Sequence, residues 1–320
     1  MISARPLPRN PQPDKPRPRL PLKLQRNTAM TVCIAAICTW CGDDIEDCFR
    51  WASEPEPYII GISDRMRSIQ DFAQYESDQP KYIHIVNSVM ALMAGDVAAQ
   101  TEVFDRTCSY IWTDFNDDPR VIPVKEVAHR YEQDVCAFLN DRRDMIVRRR
   151  TGLKSFKDFQ TNYHHEDREE IIEEIKKEPA LETIITGIDE SGPHIYLINH
   201  SGISCHDSTG FAVIGSGYFH TTSQLMRTRH SPKTPYVDTL LLLYMAKQHA
   251  EMDEYVGKDT DIFVITDNHT YDVLSEKTVK VLKDTYNEIY NRVLDEAKTK
   301  IQEHLIKERE NAIAEAKRSL

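Results

Sequence analysis

At 320 residues the chain can bury a sizeable core in one or two domains, and no apolar run approaches membrane-spanning length; the longest notable one covers only residues 240–246. A net charge of −11 argues against nucleic acid or an anionic membrane as the main partner. Seven cysteines, at 33, 38, 41, 48, 108, 136 and 205, make an odd count that fits reduced thiols in a cytoplasm better than a disulfide framework.

The charge is uneven. Residues 1–29 carry Arg5, Arg9, Lys15, Arg17, Arg19, Lys23 and Arg26 against Asp14, a net of +6, which leaves −17 for the remainder. Seven of the sixteen prolines fall in this leader, which has no hydrophobic periodicity and so cannot pack a core. It also has no secretory apolar core, and its prolines forbid the amphipathic helix of a transit peptide. A cleaved propeptide, a flexible tail and an upstream start that is not used remain open. Removal or non-use is favoured, because only those free the amine of the residue after Met30.

That residue is Thr31, at the head of the apolar strand candidate Thr31-Val32-Cys33-Ile34-Ala35-Ala36-Ile37-Cys38. A mature N-terminal threonine carries nucleophile and base together. Its α-amine, with a reference pKa of about 7.7–8, can take the hydroxyl proton and later return it to a leaving group. Residues 39–57 follow, with an acidic tract around Asp43, Asp44, Glu46 and Asp47. Zinc on Cys33, Cys38, Cys41 and Cys48 is the weaker alternative here, since Cys33 and Cys38 sit at opposite parities of a strand and no paired motif closes the site.

A second strand ends on Ser63-Asp64-Arg65, and residues 67–80 read as a polar turn. Lys81 opens a third strand, Tyr82-Ile83-His84-Ile85. A fourth, Val89-Met90-Ala91-Leu92-Met93-Ala94-Gly95, closes on glycine before a helix start at Asp96. On residues alone, Asp64 caps a turn, Lys81 is a solvated strand-edge charge, and Gly95 serves turn geometry. Helices are expected over 97–112 and 125–150, from apolar residues at helical spacing. Arg142, Arg143 and Arg148 to Arg150 make a basic cluster, read as a solvated face or subunit contact. Residues 151–180 are polar, with a surface helix near 169–175 and a loop at His164-His165-Glu166-Asp167.

Strands then return: 183–188 and 194–198 as a hairpin with Gly192 in its turn, a short strand at 202–205, and Phe211-Ala212-Val213-Ile214 running into Gly215-Ser216-Gly217. A helix over 237–252 meets Asp253-Glu254-Tyr255-Val256-Gly257, and residues 262–265 form the closing strand. Beyond Ser275 an amphipathic helix runs towards Leu320 with Leu282, Tyr286, Ile289, Val293, Ala297, Ile301 and Leu305 on one stripe. That stripe either binds a partner or another copy, or folds back on its own subunit.

The order Thr at the first strand, Asp after the second, Lys before the third and Ala-Gly after the fourth resembles the β-type subunits of proteasomes and their bacterial relatives. These belong to the N-terminal-nucleophile hydrolase superfamily. The fourteen-residue step from Lys81 to Gly95 matches the family spacing, whereas Asp64 to Lys81 is one residue longer, and the likeness spans most of 31–270. The resemblance implies an α+β fold, a four-layer αββα sandwich of two mainly antiparallel sheets. The domains would be a leader (1–30), a hydrolase domain (31–274) with a helical insert at about 151–180, and a C-terminal helix (275–320).

It further implies hydrolysis of a peptide or other amide through an ester on Thr31. Lys81 would tune the site, Asp64 hold Lys81, Gly95 N–H receive the oxyanion, and Ser216 and Asp253 position the amine and a water. Val256 stands where the family has serine in Asp-x-x-Ser-Gly. No cofactor or metal is called for. The expected partners are further copies in a ring or other oligomer, and an ATPase or regulator that the sequence does not identify. A catalytically silent scaffold on the same fold is the alternative.

Overall fold

The structure is a computed structural model, and it describes residues 31–40, 56–69, 73–115, 122–267 and 270–318. The leader, and Cys41 and Cys48 with the acidic tract, lie outside the described residues. The chain runs β1 (Cys33–Trp40), β2 (Glu56–Asp64), β3 (Met66–Ile69), β4 (Ala73–Glu76), β5 (Tyr82–Val86), β6 (Val89–Gly95), α1 (Val97–Phe115) and α2 (Val124–Thr151). Two short helices, α3 (Phe156–Asn162) and α4 (Arg168–Ile175), lead to β7 (Leu181–Asp189), β8 (Gly192–Asn199), β9 (Gly202–Cys205) and β10 (Phe211–Ile214). The remainder is α5 (Tyr218–Arg227), α6 (Tyr236–Ala250), β11 (Thr260–Ile265), β12 (Tyr271–Val273) and α7 (Glu276–Arg318).

Two five-stranded antiparallel sheets result, ordered β10-β1-β2-β11-β12 and β5-β6-β7-β8-β9. Strand parity explains how they stack. In β1 the odd positions Cys33, Ala35 and Ile37 join Met90, Leu92, Ala94, Ile184 and Ile195 of the other sheet in one buried cluster. The even positions Ile34, Ala36 and Cys38 pack with Leu240, Leu243 and Tyr244 of α6. Both faces of β1 are therefore covered, which is why it reads as an unbroken apolar run rather than an alternation. On the far side, Ala91, Ile185 and Tyr196 pack against Val103, Phe104, Val127 and Tyr131 of α1 and α2. Each such aliphatic side chain contributes roughly 1.5–3 kcal/mol by leaving water.

Several expectations are corrected. The stretch 67–80 is not merely a polar turn: β3 and β4 pair as a hairpin, Met66 opposite Glu76 and Arg67 opposite Tyr75. The Gly-Ser-Gly segment continues into α5, which was not anticipated because Thr221, Thr222 and Ser223 have modest helix propensity; burial of Thr221 and Leu225 overrides it. The basic cluster of α2 does lie on a solvated face, with Arg148 to Arg150 exposed, and it also finds partners within its own chain. Arg143 pairs with Glu178 at 2.5 Å, and Arg150 pairs with Glu170 and Glu174 of α4 at 2.7 and 3.4 Å. Residues 151–180 close a small core of their own, in which Phe159 and Ile171 join Val147.

In α7 the fold-back alternative describes only the first part of the helix. Val279, Leu282 and Tyr286 pack on the α6 side of the core, whereas Tyr290, Val293, Ile301, Leu305 and Ile306 are more than half exposed. No helix among the described residues is long and apolar enough to cross a membrane.

Candidate active site

The first described residue, Thr31, sits just before β1, and its backbone is held from the β10 side. Thr31 O accepts from Gly217 N at 3.2 Å and from Ser216 Oγ at 3.4 Å. Gly215 makes that approach possible. Its φ is +91°, and a Cβ there would stand 2.2 Å from Thr31 O and 2.8 Å from Thr31 Cγ2. Thr31 itself is buried, 2% exposed.

Asp64, fully buried, ends β2 directly beside it. Its carboxylate collects donors from three separate segments: Val32 N to Oδ1 at 2.9 Å, Met66 N to Oδ2 at 3.0 Å and Gly257 N to Oδ2 at 2.8 Å. The Thr31 hydroxyl donates to Oδ1 as well. Lys81 Nζ lies 3.1 and 3.2 Å from the two carboxylate oxygens and donates to Thr31 Oγ1 at 2.5 Å. Lys81 is thus no solvated strand-edge charge; it is 7% exposed and shares a pocket with Thr31 and Asp64. The neighbouring cation, Arg65, is taken up by a bidentate pair with Asp261 at 2.6 and 2.9 Å, so Asp64 is left to Lys81.

Of the remaining expected residues, only Ser216 makes a contact with Thr31. Gly95 ends β6 with φ +117°, and a Cβ on it would stand 2.0 Å from Ala180 O, so close backbone approach alone demands glycine. Ser216 reaches the Thr31 carbonyl. Asp253 makes a different contact: its Oδ1 accepts from Tyr255 N at 3.0 Å and shapes its own turn. Val256 of that turn is buried among the side chains under α6. What the turn delivers to the site is Gly257 N.

Three further residues were not anticipated. Lys247, wholly buried on α6, donates to Glu251 Oε1 at 2.6 Å and to Lys258 O at 2.9 Å. Burial pulls its pKa down, and the charges of Glu251, Asp64 and Glu76 act against that. Glu76 on β4 accepts from Lys258 N at 2.6 Å. Together they clamp the turn that carries Gly257. A lysine ending the apolar run Leu240-Leu241-Leu242-Leu243-Tyr244-Met245-Ala246 was the sequence signal for such a clamp. Glu182 on β7 is the third, and its Oε2 accepts from Gly215 N at 2.9 Å.

Cys33 lines the same pocket, with its thiol 3.4 Å from Met93 O. Burial pushes its pKa up to about 12 despite the nearby Lys81 charge, so it is an inert thiol at neutral pH. Cys33 and Cys38 belong to different core layers, and no group of three or more His, Cys, Asp or Glu among the described residues is placed to hold a metal ion. Chemically, the pocket offers one hydroxyl between a cation that stabilises its deprotonated form and a carboxylate that holds the cation. Compared with known proteins, the chain matches no family model and no curated protein sequence.

Proposed function

We propose that the protein is an N-terminal threonine hydrolase, similar to proteasome β-type subunits, that cleaves peptide or other amide bonds. The observation carrying this reading is the contact of Thr31 Oγ1 with both Lys81 Nζ and Asp64 in a buried pocket. With the leader gone, the Thr31 amine takes the hydroxyl proton, directly or through one water, as Oγ1 attacks the amide carbon. Lys81 lowers the cost of the developing alkoxide charge, and Asp64 offsets the burial of Lys81. Gly95 N–H receives the oxyanion. The amine returns the proton to the leaving nitrogen, and water then hydrolyses the ester on Thr31.

Self-assembly of the subunit and a cytoplasmic location belong to the same proposal. A second reading, a catalytically silent scaffold, is favoured by two observations: Asp253 is committed to its own turn and Val256 to the core. Thr31→Ala separates the two. Under the enzyme reading it abolishes turnover, and also labelling by electrophiles that need a hydroxyl with an adjacent amine. Unchanged labelling in that variant removes Thr31 from the mechanism.

A further inference from the structure

Glu182 is an acidic side chain that the proposed reaction does not use and that the fold sets against Gly215, the residue packed on Thr31. Its place follows from strand parity. Ile184 and Ile188 on β7 face the opposing sheet, and Glu182 shares their parity at the open end of the strand. The β6–β7 register sets Glu182 opposite Ala94 and Leu181 opposite Gly95, so the carboxylate emerges beside the glycine assigned to the oxyanion. From there Oε2 reaches across to Gly215 N at 2.9 Å. Gly215 in turn backs directly onto Thr31, since a Cβ on it would lie 2.8 Å from Thr31 Cγ2. The carboxylate therefore bonds the residue that packs directly on Thr31.

The charges around it do not cancel. Lys81 is engaged by Asp64 and Thr31, and Arg65 by Asp261. Among the described residues Glu182 takes part in no ion pair, and the hydrogen bond from Gly215 occupies only one of its two oxygens. Glu182 is half-buried rather than sealed, and its second oxygen keeps its capacity to accept a hydrogen bond. We propose that Glu182 sets the specificity of the site for substrates that carry an ammonium or guanidinium group beside the scissile amide. The inference rests on the Thr31 hydrolase reading. Gly215 holds the carboxylate in place before substrate arrives, which lowers the ordering cost of the new contact. The net negative charge of the chain beyond the leader favours approach of the same class of ligand.

The test uses mature full-length protein and quenched-fluorescence peptides in which the residue on either side of the cleaved bond is Lys, norleucine or Glu. Thr31 labelling by a neutral electrophile is measured alongside. We expect kcat/KM for Lys to exceed that for norleucine by about tenfold, the scale of one hydrogen bond to a charged group. The preference should weaken with added salt, collapse towards unity in Glu182→Gln, and survive in part in Glu182→Asp. Glu182→Gln keeps an acceptor for Gly215 N–H, so its melting curve should match wild type. Cleavage and Thr31 labelling without any preference for Lys in the wild type, or a preference unchanged in Glu182→Gln, overturns the role of Glu182 and leaves the hydrolase reading standing. Absence of both cleavage and Thr31 labelling overturns the two together.

Discussion

Replacing Lys81 with Met tests whether the buried pair is a working unit. Lys81 is 7% exposed, and its ammonium contacts both oxygens of Asp64, which is wholly buried. Removing one partner of such a pair typically costs about 3–5 kcal/mol, because the other charge is left uncompensated. Asp64 would still keep its three backbone donors and the Thr31 hydroxyl, which places the expected loss at the lower end, about 3 kcal/mol. For a domain of this size that is a fall of about 6–12 °C in the melting temperature, read by circular dichroism. Activity should fall by orders of magnitude, because the charge facing Thr31 Oγ1 is gone. Lys81→Arg keeps the charge, but its planar fork cannot set one nitrogen against Thr31 Oγ1 and both Asp64 oxygens; it should fold and show little activity. A Lys81→Met protein that melts within about 2 °C of wild type, as surface substitutions do, and still turns over would refute the reasoning.

Gly215→Ala places a Cβ against the Thr31 carbonyl in a backbone region that alanine rarely adopts. The strain should cost about 1–3 kcal/mol in thermal unfolding and abolish Thr31 labelling; a variant that melts and labels like wild type contradicts the close approach. Cys33 predicts a pH dependence. The unfolded thiol ionises near 9.0 and the folded one near about 12, so above pH 9 the unfolded chain sheds a proton that the folded chain keeps. The stability of wild type relative to Cys33→Ala should hold steady below pH 9 and decline between pH 9 and 12 in urea titrations. A flat difference across that window counts against the burial of the thiol. Light scattering on the full chain should give a mass above the monomer, and removal of residues 291–320 should lower it, because Val293, Ile301, Leu305 and Ile306 of α7 are exposed. A monomer mass for the intact chain at micromolar concentration argues against self-assembly.

Much of the site was legible because its residues stand at strand ends, where parity and turn chemistry leave traces. Asp64 closes β2 and Lys81 precedes β5, and it was the family resemblance, not the residues alone, that set them in relation to Thr31. What stayed hidden depends on contacts between distant segments. No local pattern reveals that Asp253 serves the Tyr255 amide, while Gly257, four residues on, serves Asp64. The β3–β4 hairpin was obscured by its polar composition, and its role shows only when Glu76 meets Lys258 N across 182 residues. Glu182 looked like an ordinary strand glutamate. Its direction acquires meaning once β7 faces β1 across the sheet interface. The exposed part of α7 carries an apolar stripe in sequence, yet periodicity does not say where a helix leaves the body that covers it.

The most direct test of the central claim is the N-terminal sequence of the protein purified from its own cells, by Edman degradation or peptide mass mapping. The Thr31 mechanism requires a free α-amine, so the mature chain should begin Thr-Val-Cys-Ile-Ala, with residues 1–30 removed or never translated. A mature chain that retains residues before Thr31 would block the amine and contradict the proposed hydrolase.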